Sequence, residues 1–114
     1  MSDYQTALSI VEELVPPHAR HWINPDRRSE DWKTRIYQDN RSGLQFAIYK
    51  RKTSMMILLE TGVASSASVE ELPERPASHS LEKEGSRFGA IRGHCYKTTD
   101  ATAFKALLCT YLGI

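Results

Sequence analysis

Residues 31–62 read DWKTRIYQDNRSGLQFAIYKRKTSMMILLETG, and the reading of this stretch decides the fold. Side chains along a strand point alternately to opposite faces, so a period of two marks a strand with two distinct faces. Trp32, Thr34 and Ile36 alternate with Lys33, Arg35 and Tyr37, which predicts an apolar face and a basic-aromatic face. Asp39-Asn40-Arg41-Ser42-Gly43 is turn chemistry, because Asn and Asp bond their own backbone and Gly tolerates positive φ. In the next strand Leu44, Phe46 and Ile48 form one face, and Gln45, Ala47 and Tyr49 the other. Lys50-Arg51-Lys52-Thr53-Ser54 is too polar to bury and makes the second connection. Met55 to Glu60 is the third strand. Its Met56 and Leu58 break the alternation, which predicts cover on both faces and a central place in the sheet. A shift of register by one residue would exchange the faces of any of these strands.

Helices are expected at both ends of the chain. Tyr4, Ala7, Leu8, Val11 and Val15 recur at helical spacing, with Glu12 and Glu13 on the other side. Ser2 or Asp3 can cap this helix, and Pro16-Pro17 ends it, since the residue before a proline is pushed out of the helical region. Phe104, Leu107, Leu108, Tyr111 and Leu112 define the C-terminal helix, with Thr99 or Asp100 as its cap and Gly113 at its end.

Between these elements the signals are weaker. Residues 18–30 read as a polar connection anchored by Trp22 and Ile23, with a turn at Asn24-Pro25-Asp26. Residues 62–85 are rich in Ser, Ala, Pro and Glu and read as a mobile loop. Within it, Ser68 and Glu71 have capping-box spacing, which predicts a short helix over 68–72 before Pro73. Residues 86–98 read as a second hairpin turning at Arg92-Gly93, with Gly89 and Gly93 marking a bulge or a close backbone approach.

The expected architecture is a single α+β domain over residues 1–114. Its antiparallel sheet has about five strands, a three-stranded meander plus a C-terminal hairpin, with the two terminal helices packed on it. A chain of 114 residues supports one core, and its 40% apolar and 25% charged residues are globular proportions. No run approaches the ~18–20 apolar residues of a membrane span, and MSDYQ lacks a signal-peptide pattern, so a cytoplasmic location and no membrane partner are expected. Cys95 and Cys109 are too few and too far apart for a disulfide framework.

The net charge of +1 conceals an uneven distribution. Residues 18–52 carry nine Lys or Arg against four Asp or Glu, while residues 53–84 carry two against six. A basic block of this kind steers anionic partners.

Three catalytic chemistries are tested and disfavoured. His18, His21 and the His94-Cys95 pair lie in different elements, without the spacing of a zinc site, so no metal and no cofactor are expected. Neighbouring residues in a strand face opposite ways, so His94 cannot activate Cys95. Asp39, Glu60 and Lys50 at strand ends offer an unspecific nuclease-like set. No catalytic residue is assigned, and the chain is read as a non-enzymatic module.

The one constellation retained for binding is Lys33, Arg35, Tyr37, Tyr49, Lys50, Arg51 and Lys52, expected to share a sheet face or edge. The leading expectation is a binding or adaptor module acting through a protein partner, with a homodimer as one form of it. The alternative is a nucleic-acid-binding domain, in which aromatics stack bases and cations meet phosphates. A small metal-dependent nuclease or hydrolase is the third reading. The plainest account of the cations is protection of an edge strand from further pairing.

Overall fold

The N-terminal apolar stripe forms one side of α1 (Asp3–Leu14), where Tyr4, Ala7, Leu8, Ile10 and Val11 are buried. The structure is a computed structural model, and it describes residues 3–22, 34–64, 66–76 and 92–114. The last carbonyls of a helix lack intrahelical donors, and the helix dipole makes that end negative. Here two guanidinium groups supply donors. Arg41 Nη2 donates to the Leu14 carbonyl at 2.8 Å, and Arg20 Nη1 donates to that of Val15 at 3.0 Å.

A short 3-10 turn, Pro17–Ala19, leads into β1 (Arg20–Trp22). The meander follows as β2 (Thr34–Asp39), β3 (Gln45–Tyr49) and β4 (Met55–Leu59). Gly43 takes a φ of 76° in the first turn, and its N–H donates to the Asp39 carbonyl at 2.7 Å. The remaining strands are β5 (Glu70–Pro76) and β6 (Arg92–Thr98), followed by α2 (Ala101–Leu112). All pairings are antiparallel, in the order β1-β2-β3-β4-β6-β5. The α+β class, with an antiparallel sheet and a helix at either end, is as the sequence predicts. The three-residue β1 adds an edge strand that the sequence reading treated as connection.

Both terminal helices pack on one face of the sheet. Phe46, Ile48, Met55, Ile57, Leu59 and Tyr96 meet Val11 of α1 and Phe104, Leu107, Leu108 and Tyr111 of α2 in one buried cluster. Asp100 caps α2 by accepting from the N–H groups of Thr102 and Ala103, and Gly113 closes it at a φ of 75°. The opposite face carries a second cluster of Ile36, Ala47, Tyr49, Met56, Leu58 and Cys95, with Leu72 against it. Every residue of β3 and β4 is buried, as two covered faces require.

Several details differ from the sequence reading. Ile36 points away from the helices, and Tyr37 points toward them, where its ring stacks on Phe46 with centroids 5.4 Å apart. The faces of β2 are therefore exchanged relative to expectation, while those of β3 are as expected. No short helix forms over 68–72, because pairing with β6 wins over the local capping signal. Glu70 lies opposite Lys97, and Glu71 opposite Tyr96. The loop reading of 62–85 is likewise corrected over Glu70–Pro76, which is β5. Its Pro73 and Pro76 lack N–H donors, and its register shifts between Leu72 and Arg75, both features of a blunted edge strand.

Arg92-Gly93 is not a turn, since both lie within β6. Gly93 instead permits a close approach, because a Cβ there would sit well inside 3.0 Å of the buried Leu58 side chain. Trp32, Lys33, Ile23, Asn24-Pro25-Asp26, residues 77–85 and Phe88-Gly89 lie outside the described residues.

Candidate functional site

The basic-aromatic residues do not form one surface. Tyr37 and Arg35 lie on the helix side of β2, and Tyr49 lies in the cluster on the opposite face. Tyr37 and Tyr49 are each only 5% exposed, so neither ring is open for a base to stack on. Burial raises the pKa of the Tyr37 phenol against the opposing effect of its hydrogen bond with Arg35, which keeps it neutral. An open sheet platform for single-stranded nucleic acid is absent from β3 and β4, where both faces are covered. Among the described residues β1 pairs along β2 from Tyr37 to Asp39 and stops short of Arg35.

The cations instead divide around the end of β3. Lys50 follows Ile48 by two positions and continues the helix side, whereas Arg51 lies over the Tyr49 ring, 5.6 Å from its centroid. Lys50, Arg51 and Lys52 are all exposed. The Lys52 carbonyl accepts from the Asp3 N–H at 3.4 Å, which ties this connection to the start of α1. Lys33 falls outside the described residues.

Arg35 and Lys50 are brought together in a cleft of about 330 Å³ between α1 and the adjoining ends of β2 and β3. Its other wall is α1, where Tyr4 and Leu8 are buried and Gln5, Ser9 and Glu12 are exposed. The helix residues escaped the sequence reading. Their signal was the polar margin of the α1 stripe, but only the docking of α1 beside β2 sets it against Arg35.

Among the described residues the other candidate groups lie apart. Cys95 is fully buried on the second face, while the His94 ring lies beside Gly62 and Tyr96 on the first. Cys109 is half-buried on α2. Asp39 is committed to its turn, accepting from Ser42 Oγ at 2.8 Å and from Arg41 Nε at 3.0 Å. Glu60 Oε1 accepts from the Gln45 N–H at 2.7 Å, at the opposite end of β3 from Lys50. Five strand residues separate those ends by roughly 17 Å, so the nuclease-like set of Asp39, Glu60 and Lys50 does not converge. Among the described residues no three His, Cys, Asp or Glu side chains are grouped to hold a metal ion. No helix among them is long and apolar enough to cross a membrane. No protein-family model matches the chain, no curated protein matches it, and no solved structure matches it.

Proposed function

We propose that this chain is a small non-enzymatic binding module that engages a protein partner through the basic rim at the end of β3. The observation that carries the reading is the run of three exposed cations after β3, of which Lys50 lines the polar cleft beside α1, Arg51 lies over Tyr49, and Lys52 is tied through its carbonyl to the start of α1. A rim of this kind steers an anionic partner, and the adjoining cleft gives it a place to dock. The lack of a convergent catalytic set among the described residues favours binding over turnover.

The test is affinity capture from the native host, with wild type and a Lys50→Ser, Arg51→Ser, Lys52→Ser variant in parallel. The expected result is a protein held by wild type and released by the variant. Labelled oligonucleotides provide the second arm. A salt-dependent shift with them, in place of a captured protein, would overturn the reading in favour of nucleic acid.

A further inference from the structure

We infer that the protein partner is a second copy of this chain, joined through the basic turn after β3 and the acidic start of β5. This rests on the binding-module reading and names the partner of that module. Tyr49, Met56, Lys97 and Glu70 are successive partners across β3, β4, β6 and β5. Directly opposite residues share a face, so Glu70 and Lys97 stand on the side of the sheet where Arg51 lies over the Tyr49 ring. Three strand spacings put the Tyr49 and Glu70 positions roughly 14 Å apart, at the same end of the sheet. Glu71 follows on the other side of β5, and both glutamates are exposed.

Arg51 meets two neutral groups, the Tyr49 ring and the Lys50 carbonyl, which orient its head and leave its charge unopposed. The tie between Lys52 and α1 uses the backbone carbonyl of Lys52. Among the described residues no carboxylate pairs with Arg51 or Lys52, and no cation pairs with Glu70 or Glu71. Lys97 offsets one of the two acids, so the start of β5 stays net negative while the turn after β3 is positive. Two such places side by side complement themselves about a two-fold axis, which sets Arg51 of each copy on Glu70 of the other. Reversing the row from Tyr49 to Glu70 brings each Lys97 opposite a Met56 position, so no like charges fall directly opposite. Arg is also the side chain whose planar fork matches a carboxylate in two parallel hydrogen bonds. Beside Glu70 lies a recess of about 250 Å³, lined also by Ser68, Lys97 and Thr99, whose hydroxyls add acceptors for an incoming cationic head. Thr98 Oγ1 fixes this recess, donating to the Ser68 carbonyl at 2.8 Å and accepting from the Asp100 N–H at 3.0 Å.

The test is sedimentation equilibrium of the full chain over a concentration series to roughly 1 mM, where a millimolar dissociation constant still shows. Wild type is expected to form a dimer that weakens as salt rises. Arg51→Glu with Lys52→Glu, and separately Glu70→Lys with Glu71→Lys, are each expected to weaken it by about tenfold or more. All four substitutions in one chain keep the net charge of +1 and exchange the two halves of the surface, so the dimer is expected to return. The four side chains are exposed, so the exchange leaves the fold intact. A wild type that stays monomeric, a dimer unmoved by either reversal, or a four-residue exchange as weak as the reversals would each overturn the assignment. The wild-type arm depends on no variant. If wild type is monomeric while a different protein is captured through Lys50, Arg51 and Lys52, the second-copy assignment falls and the binding-module reading stands. If nothing is captured either, both fall.

Discussion

Tyr111, in the last turn of α2, donates its hydroxyl hydrogen to the backbone carbonyl of Gln45 at the start of β3. The same oxygen accepts from the Glu60 N–H at 3.2 Å, just past the end of β4. One phenol therefore ties α2 to two neighbouring strands. Tyr111→Phe keeps the packing and removes both bonds. It should lower stability by about 1–3 kcal/mol, the cost of leaving a buried backbone group unmet. A urea melt measures this, and a midpoint equal to wild type would show that the bond carries no stability.

Phe46 is fully buried where the helices meet the sheet. Phe46→Ala should cost about 3–5 kcal/mol through lost apolar burial and the cavity left behind. A urea midpoint shift close to zero would reject its place in the core.

Gly93 and Leu58 give a second packing test, on the other face of the sheet. A Cβ at position 93 would collide with the Leu58 side chain. Gly93→Ala should therefore destabilise by about 1–3 kcal/mol. Leu58→Ala creates its own cavity, but it should cost less in the Gly93→Ala background, because the new methyl group then fills part of the space. Additive effects in this double-mutant cycle would contradict the β4–β6 register.

Asp39 gives the fold an acid-sensitive point. Burial favours its neutral form, but hydrogen bonds from Ser42 and Arg41 and the Arg41 charge outweigh burial and hold its carboxyl below the ordinary aspartate range. A depressed folded-state pKa gives stability that is complete above the unfolded-state value of about 3.9. That stability is lost as pH falls through the folded-state value. Asp39→Asn should be less stable than wild type at neutral pH, and the gap should close as acid protonates the wild-type carboxyl. Urea midpoints across a pH series measure the difference. A gap that stays constant would contradict the role assigned to the charge.

The parts of the fold legible in the sequence are those where one physical signal acts alone. The C-terminal helix has a full apolar stripe, a capping Asp100 and a closing Gly113, and all three act as read. Met56 and Leu58 announced a strand covered on both faces, and β4 is one. The faces of β2 were misassigned because Ile36 is the more apolar side chain and was given to the helix side. Tyr37 fits that side equally well, since its ring packs on Phe46 and its hydroxyl meets Arg35. Ser68 and Glu71 carried a local helix signal, and the partner strand that overrules it lies more than twenty residues away. The candidate site was half legible. Arg35 and Lys50 were singled out, but Tyr37 and Tyr49 are packing residues, and the α1 wall depends on a helix docking that no local pattern encodes.

The central claim is that the cations at the end of β3 serve a partner and not the fold. The direct measurement uses one preparation of the Lys50→Ser, Arg51→Ser, Lys52→Ser variant, for its urea midpoint and for its affinity toward the captured partner per folded molecule. All three side chains are exposed, and the Asp3 N–H donates to the backbone carbonyl of Lys52, which the substitution keeps, so the midpoint should stay near that of wild type. Affinity should fall by about tenfold or more, and the loss should shrink as salt screens the wild-type interaction. A midpoint at much lower urea with unchanged affinity per folded molecule would contradict the account and make the rim architectural.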